Sequence, residues 1–126
     1  MIDRFHHLFI TPADFDASVA FYRDVLGWTV SETWGGKGLA RGAVLSGGGV
    51  KVVIGERAGE STGDEGLGGT KPNMHLDIHN VDKRFDLIPK GQHVVRQPEE
   101  TPWGTRWFVV KDPDGNLIAF EQLHGG

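Results

Sequence analysis

Three residues with metal-binding side chains, His7, His75 and Glu121, each lie in a short segment that alternates like a β-strand. In RFHHLFIT, apolar Leu8 and Ile10 alternate with His7, so packing of the apolar pair against a helix turns His7 to the opposite face. The same parity applies to His75 in NMHLDIHN and to Glu121 in NLIAFEQ. Two imidazoles and one carboxylate can bind a divalent metal and leave coordination positions open for a substrate.

The elements that would position these residues follow the order β-α-β-β-β twice. In module 1, residues 1–56, a strand is followed by an amphipathic helix from the N-cap Asp14, and then by three short strands. Residues 57–73 are glycine-rich, polar and without periodicity, which predicts a linker that can serve as a flap. Module 2, residues 74–126, repeats the order with a shorter helix at 81–91. Because neither unit can bury its sheet alone, we expect one domain spanning the whole chain.

Composition excludes several classes of protein. The chain has 126 residues, no cysteine and a formal charge of −4 with both signs mixed. It therefore offers no basic stripe for nucleic acid, and any metal must be bound through nitrogen and oxygen. No apolar run approaches the roughly 20 residues of a membrane span, and no signal peptide pattern opens the chain. We expect no nucleic-acid or membrane partner and a cytoplasmic location.

Two segments carry a family resemblance. The stretches HHLFITPADFDASVAFYRDVLGW and WFVVKDPDGNLIAFEQ resemble the opening and closing segments of the vicinal oxygen chelate superfamily, the glyoxalase, bleomycin-resistance and extradiol-dioxygenase group. MHLDIHNVDKRFD extends the resemblance to nearly the whole chain. It implies an α+β fold in which two modules form a barrel-like, cupped eight-stranded sheet with the helices outside.

The resemblance also implies a metal site in the cavity. Matching motif positions makes His7, His75 and Glu121 the ligands of one divalent metal, with Fe²⁺ or Mn²⁺ favoured and Zn²⁺, Ni²⁺ or Co²⁺ also compatible with the donors. Each residue also has a plain structural interpretation, since a strand histidine can be structural and an inward glutamate can accept a backbone hydrogen bond.

A fourth ligand, present in glyoxalase-type members, has no clear counterpart here. Alignment of the two modules puts Gly55 or Ile54 opposite Glu121, and neither has a metal-binding side chain. Glu56 lies one position further, and a β-bulge could bring it in. This departure favours a three-ligand site and counts against lactoylglutathione lyase chemistry.

Other residues on the same strands are candidates for chemistry or substrate binding. Asp77 and His79 share the parity of His75, so they are predicted as an acid-base pair or as partners of the ligands. The alternative is a solvated strand end.

Four further residues are candidates for substrate contact. Lys51 is predicted to face inward and to meet an anionic substrate. Trp34, Trp103 and Trp107 are predicted as an aromatic wall. The alternative for the tryptophans is packing or a dimer interface.

Three functions are compatible with these residues. The first is a metal-dependent enzyme acting on a small oxygen-chelating substrate, with His, His and Glu resembling the Fe(II) ligands of extradiol dioxygenases. The second is a glyoxalase-like lyase or isomerase, and the third is a metal-free drug-binding protein like the bleomycin-resistance members. Ring-cleaving members usually carry additional acid-base histidine and tyrosine residues beside the iron, whereas the one tyrosine here, Tyr22, is on the predicted helix. A homodimer is expected, because curved modules leave edges that a second copy can cover.

Overall fold

The computed structural model describes Asp3, residues 5–56, Pro72 and residues 74–123. The predicted linker at 57–73, apart from Pro72, lies outside the described residues. The elements of the described chain follow the β-α-β-β-β order twice, which confirms the α+β class and the repeated module. The bounds are β1 (Leu8–Ile10), α1 (Phe15–Ala20) continued by a π-helical turn (Phe21–Val25), β2 (Thr29–Gly36), β3 (Leu39–Ser46), β4 (Lys51–Gly55), β5 (Met74–Asp77), α2 (Val81–Asp86), β6 (Val94–Glu100), β7 (Thr105–Lys111) and β8 (Leu117–Leu123).

The first helix begins at the predicted N-cap and ends before a glycine. Asp14 is the N-cap of α1, and its Oδ1 accepts a hydrogen bond from the backbone N–H of Ala17 at 3.0 Å. Such a cap satisfies one of the N–H groups that have no partner within the helix. Gly27, with φ of 76°, ends the π-helical turn in the left-handed conformation that glycine adopts without steric cost.

The second helix is shorter than predicted. Asn80 caps its start, accepting from the backbone N–H of Lys83 at 3.0 Å. The helix ends at Asp86 rather than continuing to residue 91. Pro89 accounts for this end, because a proline disfavours helical backbone at the residue before it, here Ile88.

The chain divides into a first unit (Met1–Glu65) and a second unit (Gly66–Gly126). The sheet of the first unit has the strand order β1-β4-β3-β2, and that of the second has the order β5-β8-β7-β6. In each, the first and last strands pair in parallel and the other neighbours are antiparallel. Neither helix in the described part of the chain is long and apolar enough to cross a membrane.

Each sheet buries the face that its helix covers. In the first unit, α1 packs against β4, whose Val52 and Ile54 are fully buried. In the second unit, α2 packs against β6, β7 and β8, where the rings of Phe108 and Phe120 stack with centroids 4.8 Å apart. Because side chains alternate along a strand, Glu121 next to Phe120 lies on the other face of its sheet.

Candidate functional site

His75 and Glu121 lie on neighbouring parallel strands of the second unit, β5 and β8. The ladder pairs His75 with Ala119 and Asp77 with Glu121, so the strand period places His75, Asp77 and Glu121 on one face. His75 Nδ1 is 2.8 Å from Glu121 Oε1. The His75 side chain is 51% exposed and that of Glu121 is 17% exposed. The structure thus brings two of the three predicted ligands within hydrogen-bond distance.

The second carboxylate oxygen of Glu121 accepts two hydrogen bonds. The indole Nε1–H of Trp103 donates to Oε2 at 2.7 Å, and the hydroxyl of Thr105 donates to the same atom at 2.8 Å. Burial alone would raise the pKa of Glu121, but the hydrogen bonds from the indole, the imidazole and the hydroxyl outweigh it and hold the pKa below its usual range. Glu121 is therefore ionised at neutral pH.

The two tryptophans of the second unit have different roles. Trp107 is buried, its ring stacks near His75 with centroids 6.3 Å apart, and its indole N–H donates to Glu99 Oε2 at 2.8 Å. Trp103 is exposed and meets Trp107 edge-on, with centroids 5.0 Å apart. Trp103, predicted as part of an aromatic wall, is thus also a hydrogen-bond donor to Glu121.

A depression of about 230 Å³ lies beside the His75–Glu121 pair. Its lining residues are His75, Leu76, Asp77, Thr105, Glu121 and Gln122. Asp77 is exposed and lines this depression, so it is placed to contact a small molecule there. His79 follows β5 in the bend before α2, is exposed, and does not belong to the lining.

His7 belongs to the first unit, where it is exposed just before β1. Its ring meets that of His6 edge-on, with centroids 4.8 Å apart and the two Nδ1 atoms at 2.5 Å. Within the described ranges, no three His, Asp or Glu side chains form a group that could hold a metal ion. The three-ligand set stays a prediction. The second unit brings together two of its members, His75 and Glu121.

The predicted substrate residues Trp34 and Lys51 also lie in the first unit. Trp34 covers Gly42, where an added Cβ would lie 2.0 Å from the indole. Phe9 covers Gly55 in the same way, at 2.8 Å, and these two glycines pair across β3 and β4. Both aromatic rings are about half exposed, and half-buried Lys51 shares the strand parity of Gly55. One face of this sheet is therefore aromatic and solvent-accessible.

Glu56, considered above as a fourth ligand, is engaged elsewhere. Its carboxylate accepts from the backbone N–H of Arg41 at 3.0 Å and from the Arg41 guanidinium at 3.1 Å and 2.8 Å. These bonds hold the pKa of Glu56 below its usual range. Asp16 binds the same guanidinium at 3.1 Å. The Arg41 guanidinium therefore joins β3 to the residue after β4 and to the start of α1.

Thr101 and Thr105 take part in the site although the sequence did not indicate them. Both are buried, and their hydroxyl oxygens are 2.8 Å apart. Thr105 could have been found from the hairpin register. Counting back from the turn at Asp112 pairs Trp107 with Glu121. Thr105, two residues before Trp107, therefore lies on the same face of the sheet as Glu121. Thr101 precedes β7 in a turn, and no periodicity marks it.

Comparison with known proteins gives a family and a fold. A family model described as the Glyoxalase/Bleomycin resistance protein/Dioxygenase superfamily matches residues 4–120. The uncharacterized protein YraH of Bacillus subtilis is 32% identical over 119 residues, covering 87% of this chain and 91% of that protein. An uncharacterized protein of Mycobacterium tuberculosis is 39% identical over 65 residues, covering 51% of this chain but only 38% of that protein.

Solved structures with the same fold include proteins of several kinds. UcmS2 has a TM-score of 0.75 at 21% identity, covering 96% of this chain and 98% of that one. TioX from Micromonospora sp. ML1 has a TM-score of 0.69 at 25% identity, with 94% and 98% covered. The fosfomycin resistance protein FosX from Listeria monocytogenes, complexed with Mn(II) and sulfate, has a TM-score of 0.69 at 21% identity, with 97% and 93% covered. At such identities the likeness concerns the fold.

Proposed function

The chain belongs to the Glyoxalase/Bleomycin resistance protein/Dioxygenase superfamily, and from this premise we propose that it is a metal-dependent enzyme acting on a small substrate that chelates the metal through oxygen atoms. The observation that carries the proposal is the pairing of His75 with an ionised Glu121 beside a depression of about 230 Å³. This superfamily contains both enzymes and binding proteins, so the activity is argued from the site and not from the fold.

The donor set fits a divalent metal. A nitrogen and an anionic oxygen 2.8 Å apart can both contact one ion, because such metal–ligand bonds are about 2.0–2.2 Å long. We propose His75 and Glu121 as ligands, and His7 as the third from its position in the sequence. Nitrogen and oxygen donors favour Fe²⁺ or Mn²⁺, and the FosX structure of the same fold holds Mn(II).

The residues around the pair have separate proposed roles. A bound divalent ion would stabilise negative charge that develops on substrate oxygens. Asp77, on the same face as Glu121 and lining the depression, is the proposed acid-base residue. His79 is the alternative, from beyond the strand end.

Extradiol-type dioxygenation is the reaction that we propose to test first, on the resemblance of the His, His, Glu set. Tyr22 is completely buried and packs against Trp28, so an acid-base group for ring cleavage would have to be Asp77 or His79. The glyoxalase-like alternative draws less support, because Glu56, its extra ligand, is bound to Arg41.

Metal analysis of protein purified without chelators tests the proposal. The wild type should contain about one divalent metal per chain, and His75→Ala and His7→Ala should remove it. His93→Ala is the matched control, because His93 binds the carbonyl oxygen of Pro89 and not Glu121. Oxygen uptake by the Fe(II)-loaded protein with a catechol would identify a dioxygenase. Unchanged metal content in His75→Ala would refute the ligand assignment.

A sequestering protein is the second candidate, favoured by the aromatic sheet face of the first unit. The rings of Phe9 and Trp34 cover paired glycines and are about half exposed, so they offer apolar surface to a planar ligand. Fluorescence titration of metal-free protein with a planar aromatic compound distinguishes the two. Tight binding by a wild type that takes up no metal under any loading condition would favour sequestration.

A further inference from the structure

We infer that Trp103 and Thr105 are positioning residues that hold the Glu121 carboxylate so that a single oxygen, Oε1, is presented to the metal. The inference rests on the proposed metal site and adds to it which residues set the geometry of the ligand. It is carried by the asymmetry of the carboxylate: two donors bind Oε2, and Oε1 has the exposed His75 as its partner.

The direction of the hydrogen bond from Trp103 is fixed by chemistry. An indole Nε1–H donates and cannot accept, so Glu121 Oε2 is the acceptor. At 2.7 Å this bond has the length of a charge-assisted contact to an ionised carboxylate.

The direction of the bond from Thr105 follows from the charge of its acceptor, Glu121. The Thr101 hydroxyl accepts from the backbone N–H of Thr105 at 3.0 Å and lies 2.8 Å from the Thr105 hydroxyl. The Thr101 hydroxyl also donates to the backbone carbonyl oxygen of Thr105 at 3.1 Å. Because an ionised carboxylate can only accept, the single hydroxyl proton of Thr105 goes to Glu121. Thr105 therefore donates to the charged carboxylate of Glu121, and its bonds with Thr101 hold the start of β7 in place.

Two donors from different elements prevent rotation of the carboxylate. Thr105 belongs to β7, whereas Trp103 precedes that strand and rests against Trp107. Turning the carboxylate to offer both oxygens would break two charge-assisted bonds, one of them to a buried hydroxyl. Removing either donor should therefore loosen the ligand and weaken metal binding, although neither residue touches the metal.

Calorimetric titration with Zn(II) of Trp103→Phe, Thr105→Val and Thr105→Ser tests the inference. The first two remove one donor each; Thr105→Val keeps the shape of the side chain and Trp103→Phe keeps an aromatic ring. Each should weaken Zn(II) binding by about tenfold, as is typical when a partner of a metal ligand is lost. Thr105→Ser keeps the hydroxyl and should bind Zn(II) nearly as the wild type does. If Thr105 acted only by packing, Thr105→Ser would not bind Zn(II) more tightly than Thr105→Val.

The indole N–H signals in NMR spectra give a second readout that does not depend on activity. Zn(II) at Oε1 draws charge from the carboxylate, so the Trp103 signal should shift more on Zn(II) addition than that of Trp107, whose N–H is bound to Glu99. In metal-free protein, Glu121→Gln should move the Trp103 signal and the matched variant Glu99→Gln should move the Trp107 signal.

The outcomes separate the inference from the function on which it rests. Wild-type affinity in both Trp103→Phe and Thr105→Val would overturn the inference and leave the metal site standing. Equal weakening in Thr105→Ser and Thr105→Val would overturn it as well, because the hydroxyl would then not matter. A wild type that binds neither Zn(II), Mn(II) nor Fe(II) would overturn the proposed function and the inference together.

Discussion

Replacing Glu121 by Gln in metal-free protein should destabilise the fold by about 1 kcal/mol at neutral pH. The glutamine oxygen can still accept from Trp103 and Thr105, and its amide can donate to His75 Nδ1, so the shape of the network is kept. What is lost is the charge: a hydrogen bond to an ionised group contributes about 1.5–3 kcal/mol and a neutral one about 0.5–1.5. For the two bonds at Oε2 the loss is about 2 kcal/mol, and the easier burial of a neutral amide offsets part of it.

The difference in stability between wild type and Glu121→Gln should decrease as the pH falls. The folded protein holds the pKa of Glu121 below its ordinary value of 4.5. A depressed pKa means that the ionised carboxylate contributes stability above the unfolded value, and that this contribution is lost as pH falls through the folded pKa. The free energies of unfolding of wild type and Glu121→Gln should therefore show their full difference at pH 7 and converge in acid.

Urea unfolding in the presence of a chelator measures both effects. The urea unfolding midpoints of wild type and Glu121→Gln are compared at neutral pH and at a pH below the ordinary pKa of a glutamate. Glu99→Gln is the control, because the Glu99 carboxylate also accepts an indole N–H. Equal stability of wild type and Glu121→Gln at neutral pH, or a difference that acid leaves unchanged, would refute the account of this network.

Three further predictions concern the elements around the site. Gly42→Ala should displace the Trp34 ring, which lies 2.0 Å from the added Cβ; because that ring is partly exposed, we expect a red-shifted tryptophan emission with a small loss of thermal stability. Asp112→Ala should destabilise by about 2–3 kcal/mol, since three N–H groups of the β7–β8 turn donate to this buried carboxylate, and Asp112→Asn should cost less because it keeps one acceptor. The protein should behave as a homodimer in light scattering at micromolar concentration, and a monomer would contradict that prediction.

Much of the fold could be predicted because its signals are local. Asp14 has a side chain that caps a helix, Gly27 adopts the left-handed backbone that ends one, and Pro113 with Gly115 marks the last hairpin turn. The predicted second helix is too long because the apolar pattern continues to Ile88, whereas the following proline disfavours helical backbone at that residue.

The sequence also predicts the sheet face on which a strand residue lies, but it does not predict which atoms are in contact. Strand parity places His75 and Glu121 on the side of the sheet away from α2, and the ladder agrees. Parity does not apply to a residue outside a strand, so the sequence did not predict the contact of Trp103 with Glu121. It depends on the turn before β7, where Gly104 has a φ of 90°.

Burial alone does not explain why Glu121 has these particular partners. A purely structural carboxylate, 17% exposed, needs its charge satisfied, and buried donors on both oxygens would do so. Here the buried hydroxyl of Thr105 and the indole of Trp103 both bind Oε2, while Oε1 is left to an imidazole that is 51% exposed. Histidine is a common metal ligand. His75 and Glu121 both line the depression, so a cation bound there would meet the imidazole beside Oε1.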